Sequence, residues 1–249
     1  MHGDFLAEEI DDDLVGGVSM LSGYLNKVRA EDPEALYVIA GDMFRGSVID
    51  SEYKGTSTIG IMNLVGPDVA TIGNHEFDHK GTGFGEMLNS AKAAQTTAMG
   101  LLTDSQYPPR NLEAYQAQYG PLTLALPALL EANYAPADDN PDRAFIRSAM
   151  EDYGVTDCMT LERGGVTYGL FGLMGVDSDE CAPTSGFTRT DAAKAAKRCV
   201  ETLKGEGAEI IVCLSHSGTG DSLASSEDEE LAKAVDGIDV IVSGHTHST

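Results

Sequence analysis

The chain has 249 residues, 42% of them hydrophobic, and a formal net charge of −24 from 16 basic and 40 acidic side chains. This length and composition fit a globular protein with one large α/β domain or two small ones. The negative charge and the lack of a basic cluster argue against a nucleic-acid polymer as partner. No segment approaches the roughly 18–20 apolar residues of a membrane span, and the four cysteines show no CxxC spacing.

Strand-like and helix-like segments alternate along the chain. Short β-branched runs predict buried strands, and apolar residues at helical spacing predict amphipathic helices. Strands are predicted at 35–40, 68–72, 209–214 and 239–243, helices at 16–30, 189–204 and 228–235, and a hairpin around Gly164 and Gly165 within 160–175. This alternation favours βαβ units and a mainly parallel sheet.

Residues 96–156 interrupt the pattern, because Pro, Asn and Asp are mixed there with short apolar clusters. We interpret this region as an insertion that contains a helix or two. It holds no His or Cys, so we assign it no catalytic role.

Polar side chains follow each of the four predicted buried strands. Asp42 follows the first, Asn74 and His75 the second, His216 the third, and His245-Thr246-His247 the last. The carboxyl ends of parallel strands lie at one edge of a sheet, where open α/β folds bind their ligands. We therefore expect these side chains to meet.

Histidine is scarce in this chain, which holds only six. Imidazole and carboxylate together are the usual ligands of Zn, Mn or Fe. In a two-metal hydrolytic site a carboxylate bridges the ions, so Asp42 is the natural bridge, while neutral Asn and His ligands preserve the positive field that attracts a phosphate ester. The pattern predicts a site with two divalent metal ions, and the residues do not choose among Mn, Zn and similar ions.

The ordered motifs "GDMFRG", "GNHEFD", "LSHSG" and "SGHTHS" resemble those of the calcineurin-like metallophosphoesterases, in particular the 5′-nucleotidase branch. The resemblance implies a metallophosphatase-type layered α/β/β/α sandwich. It implies that residues 1–249 form a partial metallophosphoesterase domain with the 96–156 insertion inside it, and that the protein hydrolyses phosphate esters, most of all 5′-nucleotides.

The resemblance also implies a role for each motif residue. His2, Asp42 and His247 would bind one metal, and Asp42, Asn74, His216 and His245 the other. His75 would stabilise charge on the substrate phosphate, and Asp78 would orient its imidazole ring. Glu76 has no role in the motif and is expected to be a loop residue or to lie behind the ligands.

The family pattern extends beyond this sequence at both ends. Its first motif is Asp-x-His-Gly, of which the chain holds His2 and Gly3 after Met1, and the family continues after "GHTH". The resemblance therefore implies that the first strand, the last strands and a C-terminal substrate-binding domain are absent. It also implies an extracellular, periplasmic or cell-surface location, although the chain carries no signal peptide pattern.

The sequence leaves other functions open. A 2′,3′-cyclic nucleotide phosphodiesterase, a UDP-sugar hydrolase or a thiosulfate-ester hydrolase could use the same scaffold, because a fold does not fix a substrate. The chain could instead be a non-catalytic truncated remnant that binds metal weakly. An acidic binding module would explain the charge but not the histidines. The sequence leaves the oligomeric state open.

Overall fold

The computed structural model describes residues 5–44, 55–103, 126–222 and 225–247. The strands are β1 (Glu8–Ile10), β2 (Asp13–Val15), β3 (Val38–Ala40), β4 (Val69–Thr71), β5 (Ala128–Leu130), β6 (Tyr134–Pro136), β7 (Cys158–Arg163), β8 (Val166–Met174), β9 (Phe187–Arg189), β10 (Ile210–His216) and β11 (Val240–Ser243). The helices are α1 (Gly17–Glu31), α2 (Thr56–Val65), α3 (Lys80–Thr103), α4 (Arg143–Tyr153), α5 (Val176–Glu180), α6 (Ala192–Gly205) and α7 (Glu227–Ala234), and a 3₁₀ helix covers Asn74–Phe77.

Two larger sheets face each other. The first has the strand order β3-β4-β5 and is parallel throughout. The second has the order β11-β10-β8-β7, in which β10 is parallel to both neighbours and β7 is antiparallel to β8. The apolar layer between the sheets contains Val69, Leu130, Leu170, Val212 and Leu214, all buried.

Alternate residues of the same strands point outward and pack against helices. Ala70 and Leu129 share a core with residues of α2, α3 and α4. Phe171 and Cys213 share another with residues of α6 and α7. Because side chains alternate between the two faces of a strand, the layers run helix, sheet, sheet, helix.

Most of the predicted elements are confirmed. Helices α1, α6 and α7 agree with the predicted ranges to within a few residues, and Asp191 caps α6 by accepting a hydrogen bond from the Lys194 amide at 2.8 Å. The predicted hairpin is β7–β8, with Arg163 opposite Val166 across the two glycines. The four cysteines are unpaired thiols, and Cys213 is buried in the core.

The region predicted to be an insertion is described only in part, and its assignment as an insertion stays a prediction. Strand β5 pairs in parallel with β4, and Leu129 and Leu130 are buried. Residues 126–156 thus contribute strands β5 and β6 and helix α4 to the domain core, although residues 104–125 lie outside the described ones. Only three residues of β5 pair, which is too short for an alternation signal.

None of the helices in the described parts of the chain is both long enough and apolar enough to span a bilayer.

Candidate metal centre

The ends of β3, β4, β10 and β11 meet at one edge of the two sheets. Asp42, His245 and His247 all have positive φ, at 54°, 72° and 53°. Left-handed backbone is uncommon for residues other than glycine and concentrates at functional sites. Of the six non-glycine residues with this conformation in the described part of the chain, three are predicted metal ligands.

Glycines allow the strand ends to come this close. A Cβ atom on Gly41 would overlap the His216 ring, and one on Gly244 would overlap the Ala40 carbonyl oxygen. Gly41 also has φ of +83°, a conformation that side chains disfavour. The glycines before Asp42 and His245 thus let the ends of β3, β10 and β11 pack closely across the two sheets.

Asp42, Asn74, His216 and His245 form one cluster. Nε2 of His216 lies 3.1 Å from Oδ2 of Asp42 and 3.0 Å from Oδ1 of Asn74. Nδ1 of His245 lies 3.1 Å from the same Asn74 oxygen. Asp42, His216 and His245 offer ligand atoms that all lie within 4.8 Å of one another.

The orientation of the two imidazole rings suits a cation. Nδ1 of His216 lies 2.6 Å from the Ala40 carbonyl oxygen, which only accepts, so this nitrogen carries the hydrogen. Nε2 of His245 faces the Asp177 carboxylate at 2.7 Å and carries its hydrogen for the same reason. In both neutral rings the other nitrogen then directs a lone pair at the Asp42 and Asn74 oxygens. These four atoms are a donor set that fits Zn, Mn or a similar ion.

The pKa values show the same preference for positive charge. Burial alone would raise the pKa of Asp42, but the hydrogen bond and charge of His216 and the His75 amide outweigh it and lower that pKa to about 2. Burial would lower the pKa of His216, yet it is raised because Asp42 lies beside the ring. The pair therefore stabilises a positive charge between its members, whether a proton or a metal ion carries it.

Glu76 lies behind the cluster and holds its backbone. Its buried carboxylate accepts hydrogen bonds from four amides, those of Asp42, Met43, Phe44 and Gly73. Burial and the charge of Asp42 raise the pKa of Glu76 to about 6. One side chain thus joins the loop after β3 to the loop after β4.

His75 and Asp78 form the predicted pair on the same 3₁₀ segment. Nδ1 of His75 lies 3.0 Å from Oδ1 of Asp78, and the His75 amide donates to Oδ1 of Asp42 at 3.0 Å. Phe77, on the opposite side of this short helix, is buried against Phe84, Phe187 and Tyr134. The aromatic anchor fixes the segment that presents His75 and Asn74.

Two of the predicted ligands are not among the contacts described above. His2 lies outside the described residues. His247 is exposed, two residues beyond His245, so the second predicted ligand set, His2, Asp42 and His247, stays a prediction.

Other residues at the site were not identified from the sequence. Asp177 contacts His245, and Ser178 donates to the His216 carbonyl oxygen at 2.6 Å. Asp228 accepts hydrogen bonds from Ser215 and Ser243, at the ends of β10 and β11. The first two follow the end of β8, so the rule that located the other strand-end residues would also have found them.

Sequence comparison identifies relatives over most of the chain. It is 27% identical over 226 residues, 90% of its length, to the trifunctional nucleotide phosphoesterase protein YfkN of Bacillus subtilis. It is 28% identical over 235 residues, 94% of its length, to the 5′-nucleotidase of Rattus norvegicus. The chain spans 14% of the first relative and 33% of the second. No protein-family model matches it.

The fold is similar to that of solved structures. A 5′-nucleotidase precursor from Thermus thermophilus superposes with a TM-score of 0.69 at 22% identity, covering 99% of this chain and 40% of that one. The predicted metallophosphatase-type α/β/β/α sandwich is thereby confirmed.

Proposed function

We propose that this chain, a homologue of 5′-nucleotidases and of a trifunctional nucleotide phosphoesterase, is the catalytic part of a metal-dependent hydrolase that removes phosphate from nucleotides. The observation that carries this proposal is the convergence of Asp42, Asn74, His216 and His245 at one sheet edge. Neutral His216 and His245 rings would place two lone pairs opposite these acceptor oxygens, an arrangement that a bound cation would stabilise.

The ligand roles follow from charge and position. Asn74, His216 and His245 would hold one ion with Asp42, and Asp42 would be shared with a second ion to which His2 and His247 contribute. Bound divalent ions would supply positive charge that attracts the phosphate ester and lowers the pKa of a water molecule. Because Asp42 contributes a single negative charge, the cluster with divalent ions bound would keep a positive field inside a chain of net charge −24.

His75 and Asp78 would act on the substrate. The Asp78 carboxylate accepts the hydrogen at Nδ1 of His75, which fixes the ring plane, and in the imidazolium form the Nε2–H would donate to a phosphoryl oxygen. Charge grows on these oxygens as phosphorus is attacked, and a positioned donor there stabilises the transition state.

Metal content and phosphate release from the same preparation test the proposal. The chain is stripped with chelator, loaded with Mn²⁺ or Zn²⁺, desalted and analysed for metal, then assayed with AMP and with p-nitrophenyl phosphate. We expect about two ions per chain and phosphate release that Asp42→Asn abolishes and Asp221→Asn, at an exposed acid outside the cluster, does not. A chain that retains no ion contradicts the proposal, and one that binds ions but releases no phosphate supports the non-catalytic remnant.

Substrate choice and location are further parts of the proposal. Assays with a 2′,3′-cyclic nucleotide and a UDP-sugar distinguish the alternative activities, because those reactions leave different products. The resemblance supports an extracellular, periplasmic or cell-surface location.

A further inference from the structure

Asp177 is the partner of the outer nitrogen of His245. Its Oδ2 atom lies 2.7 Å from Nε2 of His245, a short distance for a hydrogen bond between a ring nitrogen and a carboxylate. The His245 side chain is 10% exposed, while that of Asp177 is 69% exposed. The contact therefore lies at the outer rim of the metal centre, on the side of the ring away from Asn74.

Strand β10, which carries His216, holds the segment that contains Asp177. The Gly175 amide donates to the His216 carbonyl oxygen at 3.1 Å, and the buried Ser178 hydroxyl donates to the same oxygen at 2.6 Å. The Glu227 carboxylate accepts from the Val176 and Asp177 amides at 2.8 to 3.1 Å. Helix α5 is thus attached to strand β10 and helix α7 through its backbone, and Asp177 does not have to fix its own position.

We propose that Asp177 is a positioning residue for the metal centre, because it holds the hydrogen of His245 on Nε2 and thereby aims Nδ1 at the Asp42, Asn74 and His216 donors. This inference rests on the proposed function. A metal-ligating histidine that donates its other N–H to a carboxylate is fixed in tautomer and ring orientation and becomes a stronger ligand, and loss of such a carboxylate weakens metal binding by about 10- to 100-fold.

A different role for Asp177 would be as a ligand itself. Asp177, Cys181 and His245 offer donor atoms within 4.8 Å of one another, so their spacing alone would allow a thiol-containing ion site outside the cluster. The metal-binding form of cysteine is the thiolate. Nε2 of His245 lies at hydrogen-bonding distance from Asp177, which fits the positioning role without an ion, and the Cys181→Ser variant separates the two roles.

The test compares metal affinities of single variants of the full chain. Ion affinities are measured by chelator competition for wild type, Asp177→Ala, Asp177→Asn, Cys181→Ser and Glu180→Ala, with Mn²⁺ and Zn²⁺, and Co²⁺ absorption spectra report on ligand geometry. Glu180→Ala is the matched control, because it removes an exposed carboxylate from the same short helix. Thermal unfolding of each metal-free variant separates a loss of fold from a loss of site.

We expect Asp177→Ala to lower the affinity for one of the two bound ions by about 10- to 100-fold. It should also change the Co²⁺ spectrum and leave the metal-free melting temperature unchanged. Asp177→Asn keeps an acceptor oxygen and should lose less metal affinity. The metal affinities of Cys181→Ser and Glu180→Ala should stay within about threefold of wild type. Equal affinities for Asp177→Ala and Glu180→Ala would overturn the inference alone. Loss of a bound ion from Cys181→Ser would also overturn the inference. A wild-type chain that binds no ion would overturn the proposed function and this inference together.

Discussion

The carboxylate of Glu76 accepts a hydrogen bond from the backbone amide of Asp42 at 3.0 Å, across 34 positions of sequence. The motif resemblance gave Glu76 no chemical role, yet it holds the residue that would bridge two metal ions. Its carboxylate also accepts from the amides of Met43, Phe44 and Gly73. The glutamate of "GNHEFD" is therefore the connection between the two loops that carry Asp42 and Asn74.

Replacing Glu76 by Gln should lower both stability and metal affinity. The amide NH₂ of glutamine would face backbone N–H donors, and each buried donor left unpaired costs about 1–3 kcal/mol. Urea denaturation and metal titration of Glu76→Gln measure the two effects. Glu201→Gln, at an exposed position of α6, is the control, and equal behaviour of the two variants would contradict the assigned role of Glu76.

His75→Asn should lower phosphate release without changing the metal content. The His75 ring is not among the clustered donors of Asp42, His216 and His245, so ion binding should persist. Removing one positioned donor to a developing charge typically lowers kcat by about 10²- to 10³-fold. Asp78→Asn should lower kcat less, because it disturbs the ring orientation only. Loss of an ion from either variant would argue that the pair is structural.

Asp228→Asn should weaken the packing of both histidine-bearing strand ends. The buried Asp228 carboxylate accepts from the Ser215 and Ser243 hydroxyls and from the Gly218 amide. Asparagine keeps one acceptor oxygen, so at least one of these donors loses its partner, at about 1–3 kcal/mol. Denaturant unfolding of Asp228→Asn beside the exposed Asp221→Asn measures the loss. A double variant with Ser215→Ala should show a non-additive effect, since the two residues share one contact.

The buried Glu131 carboxyl group should make the protein less stable as the pH rises. Burial, only partly offset by a hydrogen bond from the Asn133 amide, raises the pKa of Glu131 from 4.5 to about 8, and its Oε2 atom has no hydrogen-bond partner. Between these two pH values the folded state holds a proton that the unfolded state releases. This contribution to the free energy of unfolding is therefore complete below pH 4.5 and is lost as the pH rises to about 8, by up to about 1.4 kcal/mol per pH unit.

Glu131→Gln removes that proton and should give a flatter dependence of stability on pH. The stability difference between the variant and wild type should grow in favour of the variant from about pH 5 to about pH 8. Urea unfolding at a series of pH values measures it, with Glu201→Gln as the control. Parallel curves for wild type and Glu131→Gln would show that the carboxyl does not titrate in this range.

The sequence by itself determined the chemistry of the strand ends. Asp42, Asn74, His75, His216, His245 and His247 could be selected because each follows a short apolar run, and strands buried on both faces leave that local signature. The helices of the outer layers were predictable for a similar reason, as with α6, whose cap Asp191 and final residue Gly205 are both local signals.

Only the tertiary structure decided how those ends meet. The four strands belong to two facing sheets, and the contact between Ala40 and His216 joins residues 176 positions apart, so no local pattern encodes it. Strand β5 was not predicted, because three apolar residues are too few to show an alternating pattern. Glu76 and Asp228 became visible as positioning groups only through their partners, and Asp177, although it follows a strand end, shows its role only through His245, since the role of an acidic side chain depends on which donors the folded chain places around it.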